Sequence, residues 1–386
     1  MAELILSSAV ILLLMVSLLL VLRWGNAVLY GEMPTRFFAF FAILFTSGLD
    51  VGLIIFPLGE FPVYATEAVY GFTNPLAIEF GFWGFFIWLF YFVTTFYFCL
   101  VEPRLKLFEI AWVKWINNTI VITTCAFTGY LFLTYLPDYL PGVTPLQQYL
   151  IVGLVLMAAV LSSTDIRYVK LLSLFSTWLF FALTLLVWQY SRLGFRGLAD
   201  NLSQLSQYFG KVHEFVLPFS DYHAFYLFWW FAWSIMIGQF VARFVGGLRT
   251  WQLLLALLCI PSIPIALWFS VLFGVYERGI EITGLLNGLM LLVGVVFVVN
   301  SLDSLTRLYT GNLSWTVDEL GMRKYVTFHW LLLYTLILLY QFTPLQIEWI
   351  GLVVIGLYLL ITGLIIRYRR ELQTADANWN DSKTSR

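Results

Sequence analysis

Charged side chains are scarce in this 386-residue chain. Only 11% of its residues are Asp, Glu, Lys or Arg, whereas 61% are hydrophobic, and the mean hydropathy is +0.87. A soluble domain would carry about a quarter charged residues. The composition therefore excludes a soluble globular protein and indicates a chain that crosses a membrane many times.

Cysteine, histidine and enzyme motifs are also scarce. The three cysteines, Cys99, Cys125 and Cys259, lie in apolar runs, which argues against a disulfide framework and favours core packing. His329, near the start of an apolar run, is expected at the membrane interface rather than as a ligand. The sequence has no nucleophile motif, metal-ligand spacing or phosphate loop. We therefore expect neither an enzyme nor an organic cofactor.

Long apolar runs dominate what is present. Windows able to cross roughly 30 Å of hydrocarbon predict eleven transmembrane helices, at 4–22, 37–57, 79–101, 115–135, 146–163, 171–191, 222–243, 251–274, 284–306, 326–342 and 348–366. The first run lacks the basic leading end and small-residue cleavage site of a signal peptide, so we interpret it as a retained span. The predicted fold class is an all-α polytopic membrane protein.

The basic residues divide unequally between the two sides of these spans. Of the 21 Lys and Arg residues, four fall on one side, namely Arg192, Arg196, Lys211 and Arg278, and the others fall on the opposite side. Basic residues favour the cytoplasmic side of a membrane. We therefore predict an outer N-terminus and a cytoplasmic C-terminus.

The connection from Ser191 to Tyr222 is too long for a simple turn. Its apolar residues recur at spacings of three and four, at Leu198, Leu202, Leu205, Phe209, Val212 and Phe215. This periodicity predicts an amphipathic helix lying at the outer interface.

One span is unusually rich in tryptophan. The segment FYLFWWFAWSIMIGQFVARF, residues 225–244, carries Trp229, Trp230 and Trp233 well inside the apolar run, whereas membrane tryptophans favour the ends of helices. Stacked indole faces attract a quaternary ammonium group, whose charge is spread over methyls. These rings therefore either line a cation-binding cavity or only fill space between helices.

A second aromatic helix strengthens the first alternative. The segment FWGFFIWLFY, residues 82–91, places Trp83, Trp88 and Tyr91 on another apolar helix. Tyr91 and Trp88 lie on neighbouring faces, because they are separated by three residues. The two aromatic helices could close a box around a cation.

Glycines and an aspartate interrupt the second span, which contains the segment TSGLDVGLIIFPLGEFP. Gly48, Asp50 and Gly52 weaken the helix, and freed carbonyls of this kind can coordinate an ion or a substrate. Asp50 is a functional candidate because a charge inside a span is costly; the alternative is pairing with a buried polar group. Glu60 and Glu79 lie near span ends and are expected to be solvated.

The ninth span contains a polar cluster, VVFVVNSLDSLTRL. Asn300, Ser301, Asp303, Ser304 and Thr306 supply hydroxyl, amide and carboxylate oxygens. Such oxygens suit Na⁺, but they equally suit hydrogen bonds that bridge helices. Both interpretations remain open from these residues.

The chain resembles the betaine/choline/carnitine transporter family. The segment FYLFWWFAWSIMIGQFVAR resembles the family's tryptophan-rich signature. Support follows from five further segments, which together extend over about residues 37–368: FTSGLDVGLIIFPLGEFP, FWGFFIWLFY, LSSTDIRYVKLLS, PSIPIALWFSVLFG and NSLDS.

The resemblance implies a leucine-transporter-type fold of five plus five inverted helices with one additional N-terminal helix. Members usually have one more helix at the N-terminus and longer tails. The implied organisation is an N-terminal helix and connection (1–36), a first repeat (37–191), an outer connection (192–221), a second repeat (222–368) and a polar cytoplasmic tail (369–386). Members of the family often form trimers.

The resemblance also assigns roles to residues. It implies that a trimethylammonium group sits in a box formed by Trp83, Trp88, Tyr91, Trp230 and Trp233, with the backbone from Gly48 to Gly52 near the rest of the substrate. Trp229 is likewise predicted to bind the substrate. The sodium position of the family corresponds to Phe297, Asn300 and Ser301, with main-chain atoms of residues 47–50 facing it.

Three departures from the family pattern affect these roles. Asp50 replaces a glycine, Asn300 stands where a hydroxyl residue is common, and Ile235 and Met236 replace a Pro-Phe pair. An ionised Asp50 would favour a cation such as choline over zwitterionic betaine, because it would repel a carboxylate. A protonated Asp50 would instead carry a coupling proton and leave room for the zwitterion.

The sequence therefore predicts a secondary transporter that imports choline, betaine or a related methylated compound with Na⁺ or H⁺. Two alternatives stay open: a non-transporting subunit or sensor of a membrane complex, and a transporter of a different small solute. The expected partners are a small cationic or zwitterionic solute and the lipid bilayer, with no nucleic acid. The expected location is a bacterial inner membrane.

Overall fold

The computed structural model describes residues 2–47 and 52–367 of the chain, and this part is almost entirely helical. Within it, ten helical segments are long and apolar enough to cross a membrane. The remaining predicted span, 37–57, is represented by two shorter helices on either side of residues 48–51, which lie outside the described part. The prediction of an all-α polytopic membrane protein is confirmed.

The helices and strands are numbered in chain order. The α-helices are α1 (Ala2–Trp24), α2 (Phe37–Ser47), α3 (Gly52–Thr66), α4 (Pro75–Trp83), α5 (Leu89–Phe96), α6 (Glu102–Leu105), α7 (Ala111–Tyr139), α8 (Pro145–Ser162), α9 (Arg167–Tyr190), α10 (Phe195–Leu205), α11 (Gln207–Lys211), α12 (Asp221–Ala242), α13 (Thr250–Cys259), α14 (Ser262–Glu277), α15 (Gly284–Leu313), α16 (Val317–Leu320), α17 (Met322–Phe342) and α18 (Ile347–Arg367). The other elements are 3₁₀ turns at Ala68–Tyr70, Phe85–Trp88, Leu107–Glu109 and Val212–Phe215, a π-helical turn at Tyr97–Val101, and the strands β1 (Val28–Tyr30) and β2 (Gly246–Arg249).

The two strands form a short antiparallel ribbon that the sequence did not predict. The pairing runs from Val28 opposite Arg249 to Tyr30 opposite Gly246, with a bulge in between. The ribbon joins the connection after α1 to the connection after α12. The charge distribution assigns both connections to the basic side, so their direct contact agrees with the predicted topology.

Helix α12 is the most deeply buried of the candidate spans. A Cβ atom on Gly238 would lie 2.0 Å from Thr94 Oγ1 of α5, and the same hydroxyl donates to the Ser234 carbonyl at 2.8 Å. A Cβ on Gly351 of α18 would lie 2.6 Å from the Phe228 carbonyl. Small residues thus let two neighbouring helices approach the α12 backbone closely, as is common in membrane bundles.

The outer connection is helical, as predicted, but not as one continuous helix. It consists of α10, α11 and a 3₁₀ turn. Leu205 and Phe215 are buried as expected, whereas Leu202 and Phe209 are more than one-third exposed. Because the helix restarts at α11, Tyr208 rather than Phe209 faces the core.

Two smaller predictions need correction. Core packing is wrong for Cys259, which is exposed on the surface of the bundle, whereas Cys125 is buried. His329 is buried rather than interfacial, because its ring bridges two elements. Its Nδ1 lies 3.0 Å from the Tyr309 hydroxyl, and its Nε2 lies 3.2 Å from the Trp315 carbonyl oxygen.

Candidate functional site

The predicted span 79–101 is broken at its aromatic centre. Helix α4 ends at Trp83, Gly84 is extended (φ −109°, ψ 169°), and Phe85 adopts a positive φ of 41°. A left-handed conformation at a residue other than glycine costs about 1–3 kcal/mol and marks functional sites more often than other positions. A Cβ on Gly84 would meet the Phe80 ring at 2.5 Å. The break therefore requires glycine at position 84, and contacts with neighbouring residues stabilise it.

Two indole groups satisfy carbonyls that the break leaves free. Trp230 Nε1 donates to the Phe82 carbonyl at 2.9 Å, and Trp88 Nε1 donates to the Trp83 carbonyl at 3.1 Å. The first bond joins α12 to α4. Residues of the predicted box are thus also the caps of the broken helix.

The amide groups after the break find partners on two other elements. Phe85 N–H donates to Ser262 Oγ at 2.7 Å, at the start of α14. Phe86 N–H donates to the Tyr208 hydroxyl of α11 at 3.3 Å. The outer connection therefore contacts the broken helix directly.

The tryptophans of the two aromatic helices contact one another. Trp83 packs edge-to-face on Trp229 and Trp230, with ring centroids 5.6 and 5.5 Å apart. Trp229 and Trp230 are parallel at 5.2 Å, and Trp233 is nearly perpendicular to both, at 6.0 and 6.4 Å. Tyr91 lies 6.4 Å from Trp230.

The remaining predicted box residue completes the cluster. Trp88 packs edge-to-face on Tyr91 at 5.1 Å. We call these six residues, Trp83, Trp88, Tyr91, Trp229, Trp230 and Trp233, the aromatic cluster. Every one of them is buried. The structure thus brings all the predicted aromatic residues together at the centre of the bundle.

Tyr226, which was not predicted from the sequence, also belongs to this region. Its ring lies 5.7 Å from Trp83, 5.5 Å from Trp229 and 6.5 Å from Trp230. Its position three and four residues before the paired tryptophans was the available signal, because residues at these spacings share a helix face.

Three indole N–H groups of the cluster, those of Trp83, Trp229 and Trp233, are buried and have no hydrogen-bond partner among the described residues. Those of Trp229 and Trp233 are the candidates for binding a ligand. Leaving a buried donor unsatisfied costs about 1–3 kcal/mol. These N–H groups are suited to a ligand hydroxyl or carboxylate oxygen.

The glycine-rich segment is only partly described. Gly48 and Asp50 lie outside the described residues, so their predicted roles stay predictions. Gly52 begins α3. The neighbouring Leu53 carbonyl accepts a hydrogen bond of 2.9 Å from Trp268 Nε1 of α14, a contact that sequence analysis did not anticipate.

The predicted sodium position is bridged by an amide. Asn300 Nδ2 donates to Thr46 Oγ1 of α2 at 2.8 Å, and Ser173 Oγ of α9 donates to Asn300 Oδ1 at 3.5 Å. Phe297 and Ser301 are buried beside it. A sodium ion requires oxygen lone pairs, whereas an N–H group is directed at Thr46. In the described residues, Asn300 thus makes helix-bridging hydrogen bonds of the kind that the alternative interpretation expects, and the sodium position stays a prediction.

Farther along α15, the polar cluster includes an ion pair. Arg307 and Asp303 are both buried, and a guanidinium nitrogen of Arg307 lies 2.8 Å from a carboxylate oxygen of Asp303. Arg307 also donates to the Ser162 carbonyl at the end of α8. These contacts give Asp303 a structural role.

Two cavities open toward opposite ends of the bundle. The cavity at the end predicted to face outward, about 590 Å³ and called the outer vestibule, is lined by three acidic residues, Glu60, Asp138 and Glu281, and by Phe56, whose ring contacts Trp83 at 6.0 Å. The cavity at the opposite end, about 540 Å³ and called the inner vestibule, is lined by three basic residues, three acidic residues and four amide side chains, among them Lys106, Lys114, Gln239, Arg243 and Asn312. The aromatic cluster lies between them.

The expectation that Glu79 is solvated is wrong. Glu79 is fully buried in α4, and the Tyr64 hydroxyl donates to its Oε2 at 2.8 Å. Glu60 is partly exposed and accepts a hydrogen bond of 2.9 Å from the Tyr222 hydroxyl.

Comparison with known proteins agrees with these features. A family model described as the betaine/carnitine/choline family transporter matches residues 121–280, which include α12 and its tryptophans. Glycine betaine transporter 1 of Vibrio parahaemolyticus serotype O3:K6 (strain RIMD 2210633) is 33% identical over 75 residues, covering 19% of this chain and 14% of that protein. The family is one of transporters rather than enzymes. Within residues 121–280, the chain is therefore similar to the betaine/carnitine/choline transporter family.

Proposed function

We propose that this protein is a secondary transporter that takes up a quaternary-ammonium compound of the choline or betaine type. The observation that carries the proposal is the aromatic cluster, in which six buried rings from α4, α12 and the segment between α4 and the end of α5 contact one another. The printed name of the Vibrio relative, a glycine betaine transporter, supports the same class of solute.

The aromatic cluster suits a methylated cation better than a metal ion or a sugar. A cation over a ring face gains about 2 kcal/mol or more when both partners are desolvated. The methyl groups of a trimethylammonium ion lose little hydration when they pack against indole. The free N–H groups of Trp229 and Trp233 would then bind the oxygen at the other end of the ligand.

Charge in and near the site favours choline over betaine in this proposal. The outer vestibule presents Glu60, Asp138 and Glu281 to an entering solute, and acidic clefts raise the local concentration of cations. An ionised Asp50 would add to this preference, since two charges 4 Å apart interact by about 4 kcal/mol at an effective dielectric constant near 20.

The two vestibules support a mechanism of alternating access. We propose that the repeats 37–191 and 222–368 rock against each other, as inverted repeats of other transporters do, and expose the aromatic cluster to each vestibule in turn. The N-terminus would lie outside and the C-terminus in the cytoplasm of an inner-membrane protein, with trimers as the assembly.

We further propose that H⁺ rather than Na⁺ is the coupling ion. The support is the Asn300 amide, which is directed at Thr46 in place of an oxygen ligand. A proton needs no such cage, because a single carboxyl group can carry it.

The experiment that tests the site compares choline with its uncharged carbon analogue, 3,3-dimethylbutan-1-ol, for binding to purified protein by isothermal titration calorimetry. The two ligands have the same shape and hydroxyl group. We expect choline to bind at least tenfold more tightly. Trp233→Ala should weaken choline binding by about 30-fold, which corresponds to about 2 kcal/mol.

The matched control is Trp330→Ala in α17. The Trp330 indole also donates to a backbone carbonyl, that of Gly153 at 2.8 Å, but it lies outside the aromatic cluster. Choline binding should be unchanged in this variant. Equal binding of choline and its neutral analogue would contradict the quaternary-ammonium assignment and favour a different solute.

A further inference from the structure

Glu79 is an unusual carboxyl group for its position. It lies on α4 one turn before Trp83 and is fully buried, with only the Tyr64 hydroxyl bonded to its Oε2. Its Oε1 has no hydrogen-bond partner among the described residues. The Trp83 indole N–H interacts with the carboxyl but does not reach hydrogen-bond geometry.

No basic residue of the described chain forms an ion pair with Glu79. The neighbouring elements instead contribute one carboxyl group, several tyrosine hydroxyls and one imidazole. These titratable side chains are Glu60 and Tyr64 of α3, Tyr208 of α11, and Tyr222, His223 and Tyr226 of α12. His223 is stacked between the rings of Phe82 and Phe219, at 5.3 and 4.2 Å. A carboxylate buried without a cation is far less stable than the neutral acid. In the arrangement described, Glu79 therefore holds its proton.

A cation in the aromatic cluster would reverse this preference. Residues four apart on a helix are about 5–6 Å apart at Cβ, so a trimethylammonium ion on the face of Trp83 lies within reach of the Glu79 charge. An ionised carboxyl at the N–H edge of the indole also makes the ring face more negative, which strengthens its attraction for the cation. Either a proton or a substrate cation can therefore neutralise this pocket.

Polar groups lie between Glu79 and the outer vestibule. Glu60 lines that vestibule and accepts a hydrogen bond from the Tyr222 hydroxyl. The Tyr222 ring packs against Tyr226 at 5.1 Å, and Tyr64, one turn after Glu60 on α3, is bonded to Glu79. A proton leaving Glu79 therefore has hydroxyl and carboxyl groups along its way to water.

We propose that Glu79 is a specificity-determining residue that exchanges its proton for a cationic substrate, so that each choline bound in the aromatic cluster releases a proton. The proposal rests on the proposed function and deepens it by naming the group that links H⁺ to the cation. The O–H bond of Glu79 breaks, the proton passes to water in the vestibule, and the carboxylate remains beside the ammonium group. Only the proton-loaded and the cation-loaded forms are neutral enough to be occluded.

The test measures choline affinity between pH 5.5 and 8.5 by calorimetry, in pairs of buffers with different protonation enthalpies. As the pH rises from 5.5, we expect the dissociation constant for choline to fall by up to tenfold per pH unit and then to level off toward pH 8.5. Near pH 5.5, the comparison of buffers should show that the wild-type protein releases up to one proton for each choline bound. This measurement tests the proposal on the wild-type protein alone.

Glu79→Gln should bind choline at least tenfold more weakly at pH 8.5, with no pH dependence, whereas Glu79→Asp should keep the slope. The matched control is Glu102→Gln. Glu102 also accepts a hydrogen bond from a tyrosine, Tyr97 at 2.7 Å, but it lies beyond the far end of α5 from the aromatic cluster. This variant should behave like the wild type.

The outcomes separate this inference from the proposed function. Choline binding that is independent of pH in the wild type would overturn the inference alone, and so would a slope that persists in Glu79→Gln. No binding of choline at any pH would overturn the proposed function as well.

Discussion

At the scale of single residues, the tryptophans of the aromatic cluster have two separable tasks. Trp230 contributes a ring face to the cluster and also donates to the Phe82 carbonyl, which the helix break leaves without a helical partner. The first task concerns the ligand and the second concerns stability. A substitution that keeps a ring but removes the N–H group affects both tasks.

Trp230→Phe is expected to lower both stability and choline affinity. Loss of the hydrogen bond should reduce the free energy of unfolding by about 1 kcal/mol, and the smaller ring should bind choline several-fold more weakly. Trp330→Phe removes an equivalent bond to the Gly153 carbonyl, so it should lower the thermal midpoint similarly while leaving choline affinity unchanged. Parallel behaviour of the two variants in binding would show that Trp230 has no direct contact with the ligand.

The sequence predicted the aromatic residues but not the acid beside them. Six rings clustered in apolar runs are a strong signal, because tryptophan is otherwise expected near membrane interfaces. Glu79 was misjudged because hydropathy placed the start of its span at residue 79. Helix α4 begins at Pro75, after an Asn74 cap whose Oδ1 accepts the Ala77 N–H at 2.9 Å, so Glu79 lies more than one turn inside.

At the scale of elements, close helix contacts hold α12 at the centre. Gly238 is the point where α5 approaches most closely, since a Cβ atom there would overlap Thr94 Oγ1. Gly311 offers a comparison within α15, because a Cβ there would meet no atom within 4 Å.

Gly238→Ala is therefore expected to destabilise the bundle by about 1–3 kcal/mol, the range for overpacking, and to lower the thermal midpoint in detergent. Gly311→Ala should leave the midpoint unchanged or raise it slightly, because alanine favours a helix more than glycine does. A midpoint for Gly238→Ala equal to that of the wild type would contradict the close packing of α5 on α12.

The sequence predicted the membrane spans but not the break within one of them. Ten of the eleven apolar windows correspond to candidate spans in the described part of the chain. The break after Trp83 was not predicted, because FWGFFIW contains a single glycine and no proline. Its position depends on partners far along the chain, namely Ser262, Tyr208 and Trp230. Tertiary contacts of this kind cannot be read from local propensity.

At the scale of the whole molecule, two vestibules flank a buried aromatic site. The outer vestibule presents three acids and no base among its described residues, whereas the inner vestibule presents equal numbers of bases and acids together with amides. The β1–β2 ribbon ties together two connections on the predicted cytoplasmic side. This layout is compatible with the proposed transport of a cation by alternating access, and transport itself is the central claim.

The most direct test is uptake of labelled choline into proteoliposomes under an imposed Na⁺ gradient, an acid-inside pH gradient, or neither. We predict uptake that is faster with the acid-inside gradient, is indifferent to Na⁺, and is lost in Trp233→Ala but not in Trp330→Ala. Acceleration by Na⁺ alone would contradict proton coupling. Choline binding without uptake under any gradient would contradict the central claim and favour the alternative of a non-transporting subunit or sensor.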